Sequence, residues 1–184
     1  MSSFIFAFAL VLLVSLGARD QLLVARLSGR TGPGLLVAGV LAAIVSAVVM
    51  AIGGQFIADL LFPAAKQMLV AFALAAAAFE LAWPNRDSIP QEPTHSVVAA
   101  FIVLLARQIT DAGRFIVFAL AAATAVPWLA AAGGAAGSAA ALVLAWIAGA
   151  ELERVLPLRI VRVVLAVLLG IAAIVIGLSA RGIV

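Results

Sequence analysis

Long apolar runs separated by short polar breaks set the pattern of this chain. A bilayer core about 30 Å thick needs roughly 20 apolar residues per helix, and the runs have that length. They predict six membrane-spanning helices. The first runs from about Phe4 to Leu27, interrupted by Arg19 and Asp20, and gives way to a turn-forming stretch, Ser28–Gly34. The second covers about Leu35–Leu60. The third covers about Ala64–Ala82, with Pro63 before it and Trp83–Pro84 after it; a Trp there fits a membrane interface. Next comes a hydrophilic stretch, Asn85–His95, short enough to link two halves rather than form a domain. The fourth span runs from about Ser96 to Ala123, interrupted by Arg107, Asp111 and Arg114. The fifth starts near Pro127–Trp128 and reaches about Ala150, and the sixth covers about Pro157–Ala180. All are expected to be helices, because an open sheet cannot satisfy its backbone in lipid.

Composition agrees. Of 184 residues, 67% are hydrophobic and only 11 basic and 8 acidic ones carry charge, with a mean hydropathy of +1.31. Soluble domains run at about 45–50% apolar and about 25% charged. A soluble enzyme, a nucleic-acid module and a disordered tail are excluded, and the partner implied first is the lipid bilayer. The pI of 11.1 comes from a net charge of only +3, spread beside the apolar runs where Lys and Arg set topology. With no Cys there is no disulfide framework, thiolate metal site or nucleophilic thiol. Residues 1–20 could be read as a cleaved signal peptide, but no Lys or Arg precedes their apolar run, and the segment has a counterpart in the second half. Arg26, Arg30, Arg86, Arg154 and Arg159 fall on one side of the predicted spans, with Lys66 and Arg181 on the other. The positive-inside rule then places the central loop in the cytoplasm and both termini outside, in a cell's inner membrane.

The chain resembles itself. One shift places Phe8 on Phe101, Leu12 on Leu105, Val24 on Val117 and Leu27 on Leu120; a shift one residue longer places Pro63 on Pro157. Charge-bearing first spans recur in both halves. The expected domains are a first three-helix repeat (residues 1–83), a short cytoplasmic linker (84–95) and a second three-helix repeat (96–184), entering the membrane in opposite directions. Inverted repeats are a transporter architecture, with sites near the midplane where the repeats meet.

Polar residues inside the spans carry the candidate chemistry. The first span holds Ser15, Arg19, Asp20 and Gln21; the fourth holds Arg107, Gln108, Thr110, Asp111 and Arg114. A charge at the membrane centre costs about 2.5–3.5 kcal/mol on insertion scales, so these groups should pair, face the bundle interior or line a wet cavity. On a continuous helix Arg107 and Asp111 are i,i+4 neighbours and Asp111 and Arg114 are i,i+3 neighbours. Asp111, Asp20, Gln108, Thr110, Ser15 and Gln21 are the expected ion or substrate pathway, with Arg19, Arg107 and Arg114 as charge partners. The competing reading is a buried salt-bridge cluster that fixes how the halves dock.

Other polar residues are assigned to surfaces. His95 is expected to be solvated in the linker. Asp59, Glu80, Glu151 and Glu153 lie near span ends, and Glu151, Glu153 and Arg154 read as an interfacial cluster. Gly133 and Gly137 form a small-residue contact stripe, for use inside the monomer or between subunits. No Walker A, dinucleotide or His-Glu-x-x-His pattern is present, and Ser15 has no His or Lys in its plane. The chain calls for no cofactor and is not read as an enzyme.

The two polar segments resemble the Gdt-one/transmembrane-protein-165 family of manganese or calcium/proton antiporters. Each half of those proteins carries a first-span motif, Glu-x-Gly-Asp-(Lys/Arg)-(Thr/Ser), commonly followed by Gln. Here Ser15 to Gln21 aligns with it, keeping Gly17, the basic Arg19 and Gln21, while Ser15, Ala18 and Asp20 depart. In the second half Gln108 to Gly113 aligns and keeps only Asp111. Gln21–Ala25, Phe118–Ala122 and Leu36–Leu41 look like the family's flanks. The resemblance implies a six-helix transporter with two Glu and two Asp around a divalent ion, Mn²⁺ or Ca²⁺ being cargo. Three of those four carboxylates are absent, and Arg19, Asp20, Arg107, Asp111 and Arg114 sum to +1, which opposes a divalent ion. A reduced site of Asp20 and Asp111 with Gln108, Thr110 and Ser15 as neutral ligands is one outcome; arginines favouring an anion is another. The expectation is a secondary transporter with a divergent, impaired ion site. The alternative is a non-transporting membrane scaffold, as a homo-oligomer or with a related membrane subunit, whose buried charges are structural.

Overall fold

The computed structural model describes residues 1–28, 32–84, 96–149, 151–152 and 157–183. The predicted linker from Asn85 to His95, together with Arg30, Arg86, Glu153 and Arg154, lies outside these residues. The described chain is helical: α1 (Ser2–Val14), α2 (Arg19–Leu27), α3 (Gly34–Asp59), α4 (Pro63–Ala82), α5 (Val97–Ile109), α6 (Ala112–Thr124), α7 (Pro127–Ala148) and α8 (Leu158–Ser179). Four of them, α3, α4, α7 and α8, are long and apolar enough to cross a membrane. Their ends fall within about two residues of those expected for the second, third, fifth and sixth spans. Proline opens α4 and α7 at the first helical turn, where its missing N–H costs nothing.

The expected first and fourth spans are not continuous helices. After Val14 the chain leaves helical geometry, passes Gly17 at φ +76° and re-enters as α2, with the two axes bent by 65°. A left-handed residue is easy for glycine and costly for others. Read as one bent span, this pair makes a fifth crossing. The fourth segment breaks at Thr110–Asp111 into two helices of 13 residues each. Asp111 takes an extended conformation and its carboxylate accepts a bond from the Gly113 N–H at 3.0 Å, capping α6. The break therefore removes the helical register that would set Arg107 beside Asp111.

Packing crosses the two halves of the chain. Helices α1 and α2 lie on α7, whereas α5 and α6 lie on α3; α4 bridges α6 and α8. Close approach depends on missing side chains. A Cβ on Gly137 would stand 2.6 Å from the Phe8 carbonyl oxygen, and one on Gly54 2.5 Å from that of Phe118; Gly133 meets the backbone of Phe4. The glycine stripe of α7 is thus spent inside the monomer, against α1. Outward faces are apolar, with Phe56, Phe72, Ile147 and Ile171 among many exposed large residues. Such a surface suits lipid, and the protein is an integral membrane protein. On α8 only Arg162, Ala166 and Ala173 are buried.

A candidate ion site at the two helix breaks

Both interrupted segments resume with an acidic residue at a helix N-terminus. Asp20 stands in the first turn of α2, and its Oδ1 accepts the Gln21 N–H at 2.8 Å. Asp111 is the N-cap of α6. Unpaired N–H groups and the helix dipole make such ends favourable for negative charge. Each carboxylate is therefore partly satisfied by its own backbone, which lets it stay buried, at 7% and 9% exposure.

A glutamine joins the two segments. Gln108, on the last turn of α5, donates through Nε2 to Asp20 Oδ2 at 2.9 Å and to the Gly39 carbonyl at 3.3 Å. Its Oε1 accepts from Arg114 Nη2 at 3.4 Å. The amide thus presents its donor to the carboxylate and its acceptor to the guanidinium. Neither a glutamate nor a leucine could do both.

Arg114 is the largest fully buried side chain in the described structure. Its Nε donates to Ser46 Oγ at 2.6 Å and its Nη1 to Ser138 Oγ at 3.0 Å. Ser46 can accept because its own hydrogen goes back to the Ala42 carbonyl at 2.7 Å. The guanidinium therefore lies between α3 and α7, bonded to three neutral oxygens, with Asp20 and Asp111 near enough to act on its charge.

The remaining expected residues divide. Gln21 is fully buried, accepts the Gly17 N–H at 2.6 Å and donates to the Ala141 carbonyl at 3.0 Å, so it holds the turn that leads into α2 and docks that helix on α7. Ser15 is buried and faces the other break: a Cβ on Gly113 would lie 3.7 Å from its Oγ. Thr110 is exposed and turned back onto the Arg107 carbonyl. It lines a cavity of about 380 Å³ with Arg19, Glu80 and Phe115. Arg19 and Arg107 are only partly buried, outside the buried set. Asp20, Gln108, Asp111 and Arg114 thus form one interior cluster, with Ser15 and Gln21 adjoining and Thr110 at its edge.

Three participants, Ser46, Ser138 and Arg162, are not singled out by the sequence, and Glu80 is read there only as lying near a span end. Ser46 and Ser138 are each the sole hydroxyl residue of their helix, separated by one residue less than the shift relating Phe8 to Phe101, and that spacing could have found them. Arg162 lies inside the sixth expected span. It pairs with Glu80 at 3.1 Å and donates to the Gly17 carbonyl at 3.2 Å, tying α8 and α4 to the first break. Glu80, in the last turn of α4 near the expected span end, is turned inward: its side chain is 11% exposed, and its Oε2 is buried with no hydrogen-bond partner among the described residues. A cavity of about 530 Å³ is lined by Arg162 together with Gly17, Arg26, Trp83 and Arg159.

Among the described residues, no group of three or more His, Cys, Asp or Glu side chains could hold a metal ion. No curated protein and no solved structure matches the chain. Residues 96–183, which hold α5 to α8 and the second break, match the family model described as divalent cation/proton antiporter GDT1, and this is the transporter family that the two motif segments resemble.

Proposed function

We propose that this protein is an inner-membrane secondary transporter of the divalent cation/proton antiporter type, with an ion site that has diverged from the family's. The carrying observation is the Asp20–Gln108 hydrogen bond, which brings the interrupted segments of the two halves together in the protein interior. Broken helices whose N-termini face a buried polar cluster are how membrane transporters bring charge into a low-dielectric core. The exchange of neighbours, α1 and α2 on α7 against α5 and α6 on α3, supports two inverted three-helix repeats. On that reading residues 1–83 and 96–184 are the repeats, the central linker is cytoplasmic and both termini lie outside.

The pathway comprises Asp20, Asp111 and Gln108, with Ser15 and Gln21 beside them and Thr110 at its outer edge. Asp111 is the proton-exchanging carboxylate in this scheme. Its capping bond uses only one oxygen, so a proton on the other leaves α6 capped. The resemblance names Mn²⁺ and Ca²⁺ as cargo. Hard cations want several anionic or carbonyl oxygens, and here the only two buried carboxylates of the cluster share it with the Arg114 guanidinium. The site is accordingly impaired for that cargo.

Purified protein in proteoliposomes tests this. A pH-coupled flux of a cation or anion, abolished by Asp111→Asn, is expected. Silence across a panel of Mn²⁺, Ca²⁺, monovalent cations and anions would sink the proposal.

A further inference from the structure

Buried arginines in proteins are ordinarily balanced by carboxylates, and a buried unpaired charge costs several kcal/mol. The direct partners of Arg114 are all neutral: Ser46 Oγ, Ser138 Oγ and Gln108 Oε1, at 2.6, 3.0 and 3.4 Å. Two hydroxyls and an amide oxygen around a positive charge make an oxygen cage of the sort that holds a cation. Here the cation is covalently attached to the chain. Its position in the sequence is equally telling. Arg114 stands at the same shift from Gln21 as Phe101 does from Phe8. The residue related to it is thus a neutral amide that braces the turn before its helix.

From these relationships we infer that Arg114 is a resident, tethered cation that fills an oxygen-lined site formed by Ser46, Ser138 and Gln108, and that it determines selectivity by excluding divalent ions. The charge inventory supports this. With both carboxylates ionised, the buried members of the cluster, Asp20, Asp111 and Arg114, have a formal sum of −1. Without Arg114 the sum becomes −2, which a divalent ion neutralises. Arg19 and Arg107 are only half-buried and stand outside this fully buried set. The cage also has the right hardness: hydroxyl and amide oxygens with two carboxylates nearby suit Mg²⁺, Ca²⁺ or Mn²⁺ better than soft metals.

The consequence for transport rests on the antiporter reading; the occupancy of the cage does not. In detergent, Mn²⁺ and Ca²⁺ should leave the melting temperature of the wild-type protein unchanged. Arg114→Gln should acquire a saturable rise of several degrees with either ion. Arg114→Gly, which empties the cage, should be stabilised by low millimolar guanidinium chloride and not by equal sodium chloride. Arg114→Lys keeps a charge at the end of a flexible stem and should remain folded and insensitive to divalent ions. A folded Arg114→Gln protein without a divalent response overturns the inference. So does a wild-type protein that responds as strongly as the variant. If Arg114→Gln and Arg114→Gly fail to fold and neither divalent ions nor guanidinium rescues them, it is likewise overturned. Flux separates the two claims: wild-type exchange of Mn²⁺ or Ca²⁺ would uphold antiport and refute the tethered cation. A wild type that moves nothing would refute antiport while leaving the binding result to stand.

Discussion

Asp20 and Gln108 lie 88 positions apart and meet at 2.9 Å, one in the first turn of α2 and the other in the last turn of α5. The bond works because one side is an amide. With Glu at position 108, as in the family's motif, a carboxylate would face a carboxylate unless a cation or proton sat between them. Gln108 instead supplies a donor to Asp20 that an ionised glutamate would lack.

Removing that amide should be costly. Gln108→Ala leaves Asp20 Oδ2 and one edge of the Arg114 guanidinium without their partners. A buried polar group left unsatisfied costs about 1–3 kcal/mol. Thermal unfolding of the purified protein should show a loss of that order. Gln108→Glu should instead gain pH dependence, because it sets a new carboxylate between Asp20 and Arg114. A wild-type-like melting curve for Gln108→Ala would show that the bond contributes nothing.

Asp111 allows capping and transport to be separated. Asn caps helices about as well as Asp, whereas Ala loses about 0.5–2 kcal/mol. Asp111→Asn should keep its stability and lose flux; Asp111→Ala should lose both. A large fall in the melting temperature of Asp111→Asn would instead favour a structural role for its charge.

The Arg162–Glu80 pair joins α8 to α4 with both side chains nearly buried, at 6% and 11% exposure. Breaking a buried pair by removing one partner typically costs about 3–5 kcal/mol, while replacing both by apolar residues is often neutral. Arg162→Leu should therefore destabilise strongly, and Glu80→Leu combined with Arg162→Leu should recover most of the loss. A double-mutant cycle read by thermal unfolding checks this. Simple additivity would show that the pair is not coupled.

The glycines of α7 make a steric prediction. Gly137→Leu drives a side chain into the Phe8 carbonyl. Overpacking typically costs about 1–3 kcal/mol, and more against rigid backbone. The variant should express poorly or melt earlier, whereas Gly32→Ala, with nothing within 4 Å of its Cβ, should behave as wild type. Equal behaviour of the two would refute the α1–α7 contact.

Bilayer thickness acts along one dimension, so the four long helices could be read from apolar run length alone, to within a residue or two. The interruptions were legible as positions, because Asp20 and Asp111 stand out in apolar surroundings, but not as breaks. Apolar patterning does not tell a bent helix from a straight one. Gly17 before Arg19 and Thr110-Asp111 before a new apolar turn were the local signals, one a left-handed residue and the other a cap. The cluster's membership was half legible. Asp20, Gln108, Asp111 and Arg114 could be named, whereas Ser46 and Ser138 looked like ordinary small residues until the guanidinium was placed between them. The Arg162–Glu80 pair joins helices far apart in sequence, and no spacing rule connects them.

The placement of Arg162 also bears on how the chain is made. An unpaired arginine in an apolar helix costs up to about 2.5–3.5 kcal/mol on insertion scales at the membrane centre and less toward the ends; Arg162 lies in the second turn of α8, three residues after Arg159. Its acceptors, Glu80 and the Gly17 carbonyl, belong to segments synthesised earlier. By the time α8 leaves the ribosome, α4 and the α1–α2 break can already be waiting in the membrane to receive it. Translation order thus supplies the last helix with a ready docking point, and biogenesis becomes directional: a chain that fails to seat α4 leaves Arg162 without its carboxylate partner.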